Sequence, residues 1–335
     1  MPTQPESILE LEHLTVRFPV TAGVFLRRVG EVRAVDDVSF AVGHGETLGL
    51  VGESGCGKTT VGRAILNILK ATAYGVEISG KILYHATSGT IDLVPLRRRE
   101  MRGYRADLQM VFQDPYASLN PRQSVTQIVS EPLAIHSKLS KREQAERVAW
   151  LLGKVGLSAE QASRYPHEFS GGQRQRIGIA RALATNPKLV VADEPVSALD
   201  VSVQAQVINL LQDLQDELGL SYLFISHDLS VVRHISKRVA VMYLGHIVEM
   251  GDGDTLYRRP LHPYTRALLA SAPRPTPTAK RARHAPLAGD IPSPINKPSG
   301  CPFRTRCPIA RPACAETLPP LTLRDGRLVA CPYSE

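Results

Sequence analysis

The stretch "VGESGCGKTTVGRAIL", residues 51–66, sets Gly52, Gly57, Lys58 and Thr59 at the spacing G-x-x-x-x-G-K-[ST], after an apolar run and ahead of a helical pattern. The chemistry of such a loop is phosphate binding. Glycines let the backbone curl until successive N–H groups point inward, the new helix adds its positive end, and the lysine reaches the β- and γ-phosphates. Gly52, Glu53, Ser54, Gly55, Cys56, Gly57, Lys58, Thr59 and Thr60 are therefore expected to hold the phosphates of a nucleotide, with the Thr59 hydroxyl on Mg²⁺.

Phosphate binding alone leaves many reactions open, and carboxylates narrow them. "KLVVADEP", residues 188–195, reads as an apolar strand that closes on Asp193 and Glu194, at the strand end where α/β proteins bind ligands. Asp193 is expected in the Mg²⁺ shell. Glu194 is expected to face the γ-phosphate and polarise the attacking water. Two acids ending a strand are by themselves as often a turn; beside the loop at 52–59 the catalytic reading prevails.

A second anion site follows in "FSGGQRQRIGIARAL", residues 169–183, where Ser170, Gly171 and Gly172 would expose N–H groups at a helix start. This segment resembles the LSGGQ signature of the ATP-binding cassette (ABC) ATPases, with Phe169 in place of leucine. Further motifs of that family stand in order: Gln113 in "MVFQDPY", Asp200 closing "SALD", and His227 in "ISHDL". The resemblance implies a head-to-tail dimer in which each ATP lies between the loop at 52–59 of one subunit and Ser170, Gly171, Gly172 and Gln173 of the other. It also implies that Gln113 contacts Mg²⁺ and senses a membrane partner, that Asp200 belongs to the D-loop, and that His227 meets the γ-phosphate. Phe18 is the expected adenine-stacking aromatic, the alternative being that residues 19–33, an insertion relative to compact members, move it away.

These side chains need a frame. Alternation at Val16, Phe18, Val20 and at Val38, Phe40, Val42 predicts early antiparallel strands, while "ETLGLV", "LQMVF", "KLVVA" and "SYLFIS" read as buried core strands. Val61, Ile65, Ile68 and Leu69 predict one helical face, and Val203, Val207, Leu210, Leu214 and Leu218 another that ends at Gly219. The expected fold is an α/β P-loop NTPase of the ABC nucleotide-binding type. It has an antiparallel β subdomain, a helical subdomain at about 115–180 and a small cysteine-rich C-terminal extension. The domains are expected at 1–255 (ATPase) and 256–335 (C-terminal region).

A chain of 335 residues with 43% hydrophobic content can bury a substantial core. No apolar run reaches the roughly 18–20 residues of a membrane-spanning helix, and "MPTQPESILELEH" lacks the blocks of a secretion signal. A cytosolic chain is expected. The net charge of +8 is concentrated at residues 255–300, where Arg258, Arg259, Arg266, Arg274, Lys280, Arg281, Arg283 and Lys297 face the single acid Asp290 among many prolines. A solvated linker is the simplest reading, an anionic lipid or RNA contact the other.

"VFQDPYASLNPR" (111–122), "RRPLHPYTRALL" (258–269) and "DIPSPINKPSGCPF" (290–303) are similar to the ATPase subunits of bacterial dipeptide and oligopeptide importers, and to their F-type subunit. That resemblance implies a D-type paralogue as second ATPase subunit, two permease subunits, an extracytoplasmic peptide-binding protein reached through them, no nucleic acid, and a peripheral place on the cytoplasmic face of the inner or plasma membrane. The segment 121–165 would grip the membrane partner. Cys301, Cys307, Cys314 and Cys331 lack the short spacing of structural zinc sites, and disulfides do not suit a cytosolic chain, which leaves a four-thiolate metal site. The importer family carries a [4Fe–4S] cluster at such a tail, so the cluster is favoured and zinc is second. The tail is expected to lie away from every nucleotide motif. Three alternatives stand beside this reading. A soluble ABC ATPase acting on nucleic acid or ribosomes would usually carry two cassettes or a long coiled insertion. A regulatory module without turnover would be expected to lose Glu194 or His227. An importer of a non-peptide solute such as nickel or glutathione would keep all these motifs.

Overall fold

The structure, a computed structural model, describes residues 7–23, 27–271 and 290–334. The part of the expected basic, proline-rich linker that carries Arg274, Lys280, Arg281, Arg283 and prolines 273, 275, 277 and 286 lies outside them. The chain forms two compact units, one of residues 1–9, 42–47 and 84–225, the other of residues 10–41, 48–83 and 226–335.

In the second unit, the strands β1 (Ser7–Ala22), β2 (Arg27–Gly43) and β4 (Glu77–Ala86) adjoin in the order β2-β1-β4, the expected antiparallel β subdomain. Both β1 and β2 are long, so residues 19–22 continue β1 and residues 27–33 begin β2. Arg28 pairs with Glu31 and Glu77 there, and Arg33 with Glu31, in exposed contacts that contribute little stability. Strand β3 (Thr47–Val51) is wholly buried and pairs in parallel with β9 (Arg238–Tyr243). β9 turns back antiparallel into β10 (His246–Asp252), and β10 takes on its other side β12 (Arg327–Val329), which pairs with β11 (Thr322–Arg324).

A buried charge pair fastens that edge. Glu249 and Arg327, 0% and 2% exposed as side chains, lie 3.3 Å apart. The carboxylate also accepts the Leu261 and His262 N–H groups, and the guanidinium donates to the Arg259 carbonyl at 2.6 Å. With its lone pairs so occupied, a buried pair persists; removal of either partner alone would cost about 3–5 kcal/mol.

In the first unit, β6 (Leu108–Val111), β7 (Leu189–Asp193) and β8 (Ser221–Ser226) run parallel, with β5 (Gly89–Asp92) earlier in the chain. β7 and β8 are buried throughout, which explains their unbroken apolar sequences. The helical subdomain contains helices Val125–His136 and Lys141–Lys154, each opened by a serine capping box (Ser124 with Gln127, Ser140 with Glu143), and helix Gly171–Leu183. Helix Val201–Leu218 buries Val207, Leu210, Leu211 and Leu214 and stops at Gly219, whose φ of 64° is the left-handed cap expected of it. One expectation fails. The apolar face from Val61 to Leu69 is not a single helix: helix Lys58–Ile65 ends, Asn67 takes φ 51°, and a separate turn, Leu69–Thr72, follows. Periodicity continues across the break because both pieces face the core.

Candidate functional site

The phosphate loop connects β3 to helix Lys58–Ile65 in the second unit. Gly57 caps that helix at φ 111°, and a Cβ there would lie 2.1 Å from the Ala34 carbonyl oxygen, so only glycine fits. Lys58 is 4% exposed, and its ammonium donates to the Gly52 carbonyl at 2.8 Å and the Glu53 carbonyl at 3.0 Å. Cys56 is buried beside it, and burial pushes its thiol pKa up, so it stays protonated. Glu53 is held on every polar group. Its N–H donates to the Tyr264 hydroxyl at 2.8 Å, and its carboxylate takes both Arg306 nitrogens, at 2.7 and 3.0 Å.

That last contact corrects an expectation. The cysteine-rich tail does not lie away from every nucleotide motif, because Arg306, between Cys301 and Cys307, rests on the phosphate loop itself. Nothing in the sequence around either residue announces the pair. His227 is exposed at the turn between β8 and helix Leu229–Ile235, in the same unit as the loop. Phe18 is half-buried in β1.

The first unit holds the remaining motifs. Asp193, 2% exposed, ends β7, and Glu194, 8% exposed, follows it at φ 47°. A non-glycine residue in that region is strained, and such strain gathers at functional sites. It is held by its N–H to the Ile225 carbonyl and by its own carbonyl, which accepts from Ser197 Oγ. The Gln113 side-chain amide donates to Glu194 Oε2 at 2.8 Å, so two residues 81 positions apart meet. Ser170 caps helix Gly171–Leu183: its hydroxyl accepts the Gln173 N–H, while the Gln173 carboxamide oxygen accepts the Ser170 N–H. Ser170, Gly171 and Asp200 are exposed, whereas Gly172 is buried against Val203 of helix Val201–Leu218.

The four tail cysteines do gather. All of them line one small cavity of about 20 Å³, with His262, Phe303 and Tyr333 among its other walls. Burial pushes the Cys301 thiol up to about 11, neighbouring cysteines adding to the shift, and it raises Cys307 and Cys331 as well. Four thiols are the donor chemistry of a zinc or iron–sulfur site. Among the described residues, however, no three or more His, Cys, Asp or Glu side chains are placed to hold a metal ion. The expected zinc or [4Fe–4S] site is thus not found as a placed ligand set; the four cysteines share one cavity.

Comparison with known proteins bears on the whole. The family model described as "ABC transporter" matches residues 35–197, and that described as "Oligopeptide/dipeptide transporter, C-terminal region" matches residues 248–314. The oligopeptide transport ATP-binding protein AppF of Bacillus subtilis is 55% identical over 330 residues, 97% of each chain. This chain belongs to the ATP-binding subunits of the dipeptide and oligopeptide ABC importer family. Another relative, the oligopeptide transport ATP-binding protein OppF of Escherichia coli, is 53% identical over 328 residues, 97% of this chain and 95% of that one. Among solved structures, cbiO1 from Clostridium perfringens, part of the ABC transporter complex cbiONQ, matches with TM-score 0.61 and 28% identity, over 76% of this chain and 91% of that one. The cassette MJ0796, seen as a dimer in a post-hydrolysis state with ADP and phosphate, matches with TM-score 0.60 and 27% identity, over 73% of this chain and 98% of that one. The importer ATPase so placed is an enzyme coupled to transport, and among its described residues no helix is long and apolar enough to cross a membrane.

Proposed function

We propose that this chain hydrolyses ATP to power import of di- and oligopeptides through a membrane ABC transporter. Carrying this reading is the identity above 50% along nearly the whole length of relatives named for oligopeptide transport, including the C-terminal region matched separately. The domain division proposed is an ATPase domain at 1–255, with its helical subdomain at about 115–180, and a C-terminal region at 256–335.

In this reading Gly52–Thr60 cradle the triphosphate, Lys58 leaves the Gly52 and Glu53 carbonyls for the β- and γ-phosphates, and Phe18 stacks on adenine. Mg²⁺ would neutralise charge between the β- and γ-phosphates, and the Thr59 hydroxyl, Asp193 carboxylate and Gln113 amide are hard oxygen donors that fit it. Glu194 accepts a proton from the water that attacks the γ-phosphorus in line, the bond to the β–γ bridging oxygen breaks so that ADP leaves, and His227 steadies the γ-phosphate. Exposure of Ser170 and Gly171 supports the composite site, in which Ser170 to Gln173, with Asp200 beside them, complete the partner's nucleotide site.

The partners proposed are a second ATPase subunit of D type, two permeases and, through them, a peptide-binding protein outside the membrane, with this subunit on the cytoplasmic face. For the tail we propose a [4Fe–4S] cluster on Cys301, Cys307, Cys314 and Cys331, supported by four thiols around one cavity. Copurification with permease subunits, followed by ATPase assays with and without peptide-loaded binding protein, tests the function. Stimulation by peptide-loaded binding protein is expected; hydrolysis indifferent to it, or stimulated only by a loaded metal- or glutathione-binding protein, would overturn the peptide assignment.

A further inference from the structure

Glu53 is a node with three arms, all within one unit of the chain. Its carbonyl holds Lys58, its N–H is held by Tyr264, and its carboxylate is held end-on by Arg306, whose side chain is 5% exposed. The two latter residues come from the C-terminal region, Arg306 standing 253 positions away. They are themselves tied to one aromatic cluster. Phe303, 1% exposed, packs edge-on against Tyr243 at 5.3 Å and tilted against Tyr264 at 5.4 Å, while the Arg306 N–H closes a turn on the Phe303 carbonyl.

A loop with glycines at 52, 55 and 57 has wide conformational freedom, and ordering it costs free energy when a nucleotide arrives. A charge-assisted, two-pronged and largely dry contact is suited to removing that freedom in advance. Tyr264 acts at the same peptide. Burial raises its phenol pKa far above neutrality, so the hydroxyl remains neutral and free to accept from the Glu53 N–H.

We propose that Arg306 and Tyr264 are positioning residues of the phosphate loop, pinning Glu53 so that the loop backbone is shaped for ATP before it binds. This rests on the ATPase reading and goes beyond it, since it gives the C-terminal region a part in nucleotide capture. Once ATP is bound, its phosphates order the loop themselves, so the pin serves capture more than turnover.

The test uses the full chain in the assembled transporter. Arg306→Gln should raise the KM for ATP about tenfold and leave kcat within about twofold, with Arg306→Lys, which keeps the charge but loses the fork, in between. Glu53→Gln should have a similar effect, and the double variant should be no worse than either single one, because both remove the same contact. Tyr264→Phe should raise KM about threefold. Thermal melts separate these effects from loss of fold, and if Arg306→Gln does not fold, Glu53→Gln, altered at the more exposed end of the pair, carries the same test. Unchanged KM in folded Arg306→Gln and Glu53→Gln, or strictly additive effects in the double variant, would overturn the proposal. Lys58→Ala is the control: if it too leaves ATP binding intact, the nucleotide site itself is wrong, whereas loss in Lys58→Ala alone overturns only the pin.

Discussion

Gln113 Nε2 lies 2.8 Å from Glu194 Oε2, so the carboxylate proposed as base is bonded to the loop expected to sense the membrane partner. Glu194 thus has a defined orientation despite its left-handed backbone. A carboxylate has about four lone-pair sites, so accepting an amide proton is compatible with taking one from a water, as a general base must. Movement of Gln113 would act directly on that carboxylate.

Gly172 shows how tightly the signature is tied to the segment after Asp200. A Cβ on residue 172 would lie 2.5 Å from Val203 Cγ1. Alanine favours a helix over glycine by about 1 kcal/mol, but here the clash should outweigh it. Gly172→Ala should therefore lose about 1–3 kcal/mol in urea melts, and Gly172→Ala/Val203→Ala should recover more than half. No recovery in the double variant would mean the contact is not the cause.

Much of this was legible in local sequence. The strands β3, β6, β7 and β8 show as short apolar runs because they are buried on both faces, and the motifs at 52–59, 169–173 and 193–194 carry their geometry in their residue types. The break at Asn67 was hidden because the apolar spacing runs through it, although an asparagine suits its positive φ. The clasp of Arg306 and Tyr264 on Glu53 could not be read at all. A salt bridge between residues 253 apart leaves no periodic trace, and in "CPFRTRC" only the cysteines carry a local signal.

Acid should loosen the C-terminal region. His262 is buried, its Nδ1 accepts the Tyr264 N–H at 3.1 Å, and burial pushes its pKa down to about 3. Burial likewise pushes His246 down to about 4, Lys297 adding to the shift and Asp36 opposing it. Both folded values lie below the unfolded value of about 6.5, so the unfolded chain binds protons first. Their contribution is complete above about pH 6.5 and is lost as pH falls toward 4, at up to about 1.4 kcal/mol per unit for each histidine. Melts between pH 7.5 and 5 should show a steeper fall for the native chain than for His262→Gln. Equal slopes would contradict the assignment.

Lys58 and Ser170 should separate in their effects. Lys58→Ala should weaken ATP binding by the isolated chain, while Ser170→Arg, on an exposed cap, should leave it nearly unchanged and reduce hydrolysis only in the assembled dimer. Loss of ATP binding by monomeric Ser170→Arg would show that the signature serves its own subunit's nucleotide.

The tail is tested by colour and metal. Protein purified without oxygen should be brown, absorb near 400 nm and contain about four irons per chain, and Cys307→Ser should lose the metal. Colourless anaerobic protein with stoichiometric zinc would contradict the cluster, and unchanged metal in Cys307→Ser would contradict the ligand set.

The most direct measurement is ATP hydrolysis by Glu194→Gln in the assembled transporter. The amide oxygen can still accept from Gln113 while the basicity is gone, so ATP binding should persist and turnover should fall by about 10² or more. Near-normal hydrolysis by that variant would contradict Glu194 as the group that activates water.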